Sequence, residues 1–150
     1  MKKNAIILLM TLASFSLHAK TTGGGKVDPL IEAEFKKQFG TSLNVSWSIV
    51  EDVSIATYTE RGQEKQVYYF EDGSVFGYGK IIDKESLPDQ VEKIITAKFR
   101  TGIVQTVYEF KAKDAPTRYF VRVVTSHNVM ILSADEFGNL SIDKKERIGL

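Results

Sequence analysis

The chain contains no cysteine among its 150 residues. That excludes disulfides, removes the thiolate ligands of the common zinc sites and leaves no thiol for a lipid anchor. Histidine is nearly as scarce, with only His18 and His127. Neither charge sign dominates: 20 Lys and Arg oppose 19 Asp and Glu, and no long run of one sign occurs. A nucleic-acid surface or a polybasic membrane patch is therefore not expected. Also missing is an apolar run long enough to serve as a stable bilayer anchor. Stability must come from a packed core, for which an apolar content of 43% is ordinary.

What is present begins with a leader-like segment. Lys2 and Lys3 precede an almost wholly apolar stretch from Ala5 to Leu17, and Ser16-Leu17-His18-Ala19 offers a cleavage point. Residues 1–19 are expected to be a signal peptide, with the mature chain in the periplasm or secreted and no membrane anchor. Its removal would leave 18 Lys and Arg against 19 Asp and Glu, a net charge of −1, and His127 as the one histidine. Residues 20–27 read as a flexible linker around Gly23-Gly24-Gly25. Those glycines lack the preceding strand and the following Gly-Lys-Ser/Thr of a phosphate-binding loop.

A first helix is predicted after Asp28, a good N-cap, with Pro29 at the first helical position and Gly40 to end it. Ile31, Phe35 and Phe39 recur at four-residue steps with Leu30 beside them, making an apolar stripe. Strand-like segments follow at 43–50, 54–59, 66–70 and 75–78. Arg61-Gly62 and Glu71-Asp72-Gly73-Ser74 mark turns between them. The pattern then restarts. Ser86 is the expected cap of a second helix bearing Val91, Ile94, Ile95 and Phe99, which Thr101-Gly102 ends. Strands at 103–110, 118–125 and 129–133 follow, then the turn Asp135-Glu136-Phe137-Gly138-Asn139 and a short strand at 140–142.

Laid over each other, the halves match Phe39 with Phe99 and Gly73 with Gly138, which places extra residues in the second half at Lys111 to Pro116. The expected fold class is α+β: two tandem helix-plus-four-strand repeats, 28–83 and 84–150, in an antiparallel sheet with helices on one face.

Phe35-Lys36-Lys37-Gln38-Phe39, Asn44-Val45-Ser46-Trp47, Val67 to Val75 and Leu87-Pro88-Asp89-Gln90-Val91 together resemble the PepSY-like family, which is similar in fold to the beta-lactamase inhibitor protein. The resemblance covers about residues 28–143. It implies a small exported protein that binds or inhibits other proteins, with no catalytic residues. The chain departs from the family pattern at an acidic residue expected four positions before each hairpin glycine. Asp135 lies three before Gly138, and Phe70 stands at the matching place before Gly73.

Chemistry is sparse. His127 is the one candidate general base, yet Thr125-Ser126-His127-Asn128 reads as a turn, and neighbouring side chains on an extended chain point to opposite faces. Glu51/Asp52, Glu71/Asp72 and Asp135/Glu136 sit at predicted turns, where solvated acids are ordinary, and none has calcium-loop spacing. No catalytic residue, metal or cofactor is expected. Aromatics carry more weight. Val67 and Tyr69 fall on one face of their strand and Tyr68 and Phe70 on the other. If helices cover one face, Tyr68 and Phe70 point outward. Tyr58 and Tyr78 join them if the strand register allows. Those four are the expected partner-binding residues of a non-catalytic module, an inhibitor or adaptor whose partner is a protein or peptide. The alternative is a periplasmic carrier of a small apolar ligand.

Overall fold

The computed structural model describes residues 26–149. The expected signal peptide and residues 20–25 of the expected linker lie outside the described residues. Val27, at the end of that linker, is buried with the first core. The chain divides into two compact units, one up to Lys80 and one from Ile81.

In the first unit, the Asp28 carboxylate accepts a hydrogen bond from the Leu30 N–H at 2.8 Å and opens helix α1, Pro29–Phe39. Gly40 ends it at φ 84°, its N–H donating to the Lys36 carbonyl. Ile31 and Phe35 are buried and Phe39 is half-buried, as the stripe predicts, but Leu30 lies outside it, 53% exposed. Four strands follow: β1 (Val45–Val50), β2 (Val53–Glu60), β3 (Gln63–Phe70) and β4 (Val75–Ile82). Arg61 and Gly62 both adopt positive φ, which gives the tight β2–β3 turn the twist that adjoining strands need. The register pairs Trp47 with Ala56, Ala56 with Val67, and Val67 with Tyr78. Paired residues share a face, so Phe35 meets Trp47 and Tyr58 with ring centroids 5.7 and 5.4 Å away.

In the second unit, a 3₁₀ turn at Lys84–Ser86 precedes helix α2, Asp89–Lys98. The expected Ser86 cap is corrected, because the helix begins later with Pro88 in the capping position and no side-chain cap. The cause is steric: a residue before proline is pushed out of the helical region, and Leu87 is extended at φ −63°, ψ 145°. Strands β5 (Ile103–Ala112), β6 (Arg118–Val124), β7 (Asn128–Asp135) and β8 (Leu140–Arg147) follow. β8 runs five residues beyond the expected short strand. Val91 and Ile95 are buried against Val107, Val121, Val123 and Leu132, while Phe99 is half-buried beside them.

The expected fold class is also corrected. All eight strands form a single antiparallel sheet in the order β1 to β8, and the protein is mostly β. The helices, of 11 and 10 residues, are about half as long as a strand of 10 residues, because a helix rises about 1.5 Å per residue and a strand about 3.3 Å. It is not a pair of tandem helix-plus-four-strand repeats with helices on one face. Within each unit the four strands follow one another through turns alone, and α2 lies in the connection from β4 to β5. Strand order therefore follows chain order.

Candidate binding surface

The strand alternation around β3 sets the geometry. Val67 and Tyr69 join the helix-side core with Phe35 and Ala56. Tyr68 points the other way, but it is fully buried, and so are Val53 and Ile55 on its face. The outward, solvent-open placement expected for Tyr68 is therefore corrected: alternation tells which residues share a face, not what covers it. The Tyr68 hydroxyl donates to Gln66 Oε1 at 2.7 Å within this buried layer.

The four expected partner-binding residues do not form one cluster. Tyr58 is buried on the helix side, where burial first, then Glu60 and Tyr78, pushes its phenol above the ordinary value. Tyr78 shares that face and is 41% exposed, its hydroxyl accepting from Gln38 Nε2 at 2.9 Å. Phe70 belongs to the opposite face at the strand end, 38% exposed. Beneath Tyr78 lies Tyr69, whose buried hydroxyl has no hydrogen-bond partner among the described residues. Burial raises its phenol most, with smaller contributions from Tyr78, Tyr58 and Glu34.

The β3–β4 hairpin end carries Phe70, one of the exposed apolar groups of the first unit. The Phe70 N–H donates to the Ser74 carbonyl and Gly73 N–H to the Phe70 carbonyl. Asp72 Oδ1 accepts from both the Ser74 hydroxyl and its N–H, which holds the carboxyl below its usual range. Gly73 sits at φ 79° directly under Leu30, and an added Cβ would lie 2.5 Å from the Leu30 Cδ2. The turn is thus pinned on the first turn of α1. Phe70 packs edge-on against Phe76 at 5.0 Å. Phe70 is thus the exposed member of an aromatic pair at a strand end fixed by the turn, and Leu30 covers the turn from the helix side.

The β7–β8 hairpin of the second unit is built alike. Asp135 accepts from the N–H groups of Phe137 and Asn139 and from the Asn139 side chain, which lowers its carboxyl. Gly138, at φ 89°, lies against Ile94 of α2. Phe137 projects from the tip, 67% exposed. This exposed aromatic is not among the four expected residues, although its place inside the turn from Asp135 to Asn139 is a usable signal. A cavity of about 310 Å³ lies between α2 and the start of β5, lined by Leu87, Ile95, Ile103 and Val104 with Lys84, Glu92 and Thr96.

Ser126 and His127 meet, contrary to the expectation from strand geometry, because they lie in a turn: Ser126 Oγ is 2.6 Å from His127 Nδ1. Both are exposed, and among the described residues no carboxylate orients the ring. Glu51/Asp52, Glu71/Asp72 and Asp135/Glu136 all occupy turns or turn starts. Among the described residues, no group of three His, Asp or Glu is placed to hold a metal, and no helix is long and apolar enough to cross a membrane.

No family model and no curated protein matches the chain, so the PepSY-like resemblance rests on its motifs alone. Solved structures do match. A protein of Bacteroides eggerthii provisionally assigned to the periplasm superposes with a TM-score of 0.72 at 16% identity, over 83% of this chain and 91% of its own. A DUF2874 family protein of Bacteroides uniformis gives 0.70 at 16% identity, covering 81% and 90%. A BLIP-like protein of Bacteroides fragilis gives 0.65 at 18% identity, covering 85% and 90%. The chain therefore has a BLIP-like fold, shared with DUF2874 family proteins.

Proposed function

We propose that the chain is an exported, non-catalytic binding module, an inhibitor of or adaptor for another envelope or secreted protein. The observation that carries this reading is the β3–β4 hairpin end, where exposed Phe70 packs on buried Phe76 at 5.0 Å beside a turn held by Asp72 and Gly73. An exposed aromatic on a rigid backbone loses little conformational entropy on binding, and such residues dominate protein interfaces. The BLIP-like fold and the PepSY-like motifs support the same class, and the periplasmic assignment of a fold neighbour supports export.

Tyr78, exposed and held by Gln38, belongs to the partner surface in this reading. Buried Tyr58 and Tyr68 support it from within. The test pairs affinity with stability. The exported protein is used to capture partners from envelope extract, and affinity for the captured protein is then measured for Phe70→Ala and Tyr78→Ala. A central contact residue costs about 2 kcal/mol or more of binding when truncated. Phe70→Ala is expected to weaken binding while leaving the unfolding midpoint nearly unchanged, whereas Tyr68→Ala is expected to unfold the protein. Undiminished binding by both exposed variants would place the recognition surface elsewhere.

A carrier of a small apolar ligand is the second reading, and the cavity beside α2 is its one supporting observation. At about 310 Å³ it is at the small end for a ligand site, and Lys84 and Glu92 put charge on its wall. Binding of a fluorescent fatty-acid probe that Ile95→Trp abolishes would favour the carrier over the module.

A further inference from the structure

The sheet has two ends, and their edges are built differently. β8 ends Asp143-Lys144-Lys145-Glu146-Arg147, five charges in a row. Charge on an edge strand keeps other strands from pairing with it. β1, Val45-Ser46-Trp47-Ser48-Ile49-Val50, carries no charge, no proline and no glycine. Its helix-side residues, Val45 and Trp47, pack on the core yet remain half-buried. Among the described residues, no strand pairs with β1 on the side away from β2. An edge of this kind presents a row of main-chain N–H and C=O groups that only another extended chain can satisfy together.

We propose that β1 pairs antiparallel with β1 of a second copy of this chain, about a two-fold axis at Trp47. Five of the six residues, Val45 to Ile49, are self-complementary in that arrangement. Val45 falls opposite Ile49 of the second copy, Trp47 opposite Trp47, and Ser46 opposite Ser48. Apolar side chains then meet on the helix side and serines on the other, and no charges oppose each other. A two-fold interface requires such a patch to match itself. Cross-strand aromatic pairs and serine pairs are favourable neighbours. β8 offers no such apolar match: its last five residues are all charged, and a pairing centred on Lys145 sets the two lysines against each other.

Trp47 is the chain's one tryptophan, so the edge reports on itself. Sedimentation of the exported protein over a concentration series is expected to show a monomer–dimer equilibrium, with tryptophan emission shifting to the blue as dimer forms. Two double variants sharpen the test: Ser46→Lys with Ser48→Lys, and Ser46→Glu with Ser48→Glu. Each places like charges opposite each other twice, and each is expected to raise the dimer Kd about tenfold. An equal mixture of the two is expected to associate more tightly than either alone, which a merely unfolded variant cannot do. Dimerisation without a change in Trp47 emission, or a lysine variant that dimerises like the wild type, would overturn the proposal. So would a wild-type chain that stays monomeric throughout, which would leave the edge to a strand from another protein.

Discussion

The two units fill the space beneath their helices with different chemistry. Under α1 the core is aromatic: Phe35 touches Phe39, Trp47 and Tyr58, and Trp47 reaches Tyr69 with centroids 6.2 Å apart. Under α2 it is aliphatic, built from Val91, Ile95, Val107, Val121, Val123 and Leu132, with Tyr119 the one buried aromatic. A methyl-rich core gains its stability from many small contacts spread over several side chains. An aromatic core concentrates area in a few rings and brings phenol hydroxyls into the interior, where they must find partners. The first unit is therefore the one in which single substitutions have the widest range of effect, and of either sign.

The largest effect is expected at Phe35, buried and central to the ring cluster. Phe35→Ala should lower the unfolding free energy by about 3–5 kcal/mol. Ile95→Val in the aliphatic core removes one methyl group and should cost about 0.5–1.5 kcal/mol. Chemical denaturation of both variants measures the contrast. A Phe35→Ala loss below about 1 kcal/mol would mean the ring cluster is not the organising element of its unit.

The hairpin glycines come next. Gly73 and Gly138 both hold positive φ and both lie against a helix side chain. Alanine at either is expected to destabilise by about 1–3 kcal/mol, from backbone strain in a region that L residues avoid. The neighbours differ: Leu30 is 53% exposed and free to swing aside, whereas Ile94 is half-buried. Gly138→Ala should therefore cost more than Gly73→Ala, even though the added Cβ would be closer to its neighbour at Gly73, 2.5 against 2.8 Å. Thermal melts of the two variants, run side by side, give the order directly, and the reverse order would show that the contact distance outweighs the freedom of the side chain.

These comparisons show which features were legible in the sequence. Asp28, Pro29 and Gly40 announced α1 because capping chemistry is local, and the glycine turns at Gly62, Gly73 and Gly138 announced the hairpins for the same reason. β8 was read as three residues because Lys144 to Arg147 look solvated, yet an edge strand tolerates charge better than any other. A hydroxyl such as that of Ser86 favours a cap, but the steric demand of Pro88 on Leu87 prevails. The weight of strand over helix was underestimated, since strands such as β8 run on past their apolar residues. At the candidate surface, alternation placed Tyr68 and Phe70 on one face correctly. It could not show that Tyr68 is covered while Phe70, at the turn, is not.

The smallest shift at neutral pH, and the one with the opposite sign, is expected at Tyr69. Its hydroxyl is buried with no hydrogen-bond partner among the described residues. An unsatisfied buried hydroxyl carries a desolvation cost that phenylalanine of the same shape does not. Tyr69→Phe should therefore be neutral or stabilising by up to about 1 kcal/mol, whereas losing a satisfied hydroxyl would destabilise by a similar amount. Alkaline titration supplies an independent check. Burial raises the Tyr69 phenol above its ordinary value of 10.0, and Tyr58 and Tyr119 are raised as well. The unfolded chain then releases these protons at lower pH than the folded one, so stability falls as pH rises above about 10. Tyr69→Phe removes the most strongly shifted of the three and should make that fall shallower, while Tyr119→Phe in the aliphatic core should change it less. The measurement is the denaturation midpoint of wild type and both variants between neutral pH and about pH 11. If Tyr69→Phe destabilises at neutral pH and leaves the alkaline slope unchanged, the hydroxyl has a partner, and the aromatic core is as fully satisfied as the aliphatic one.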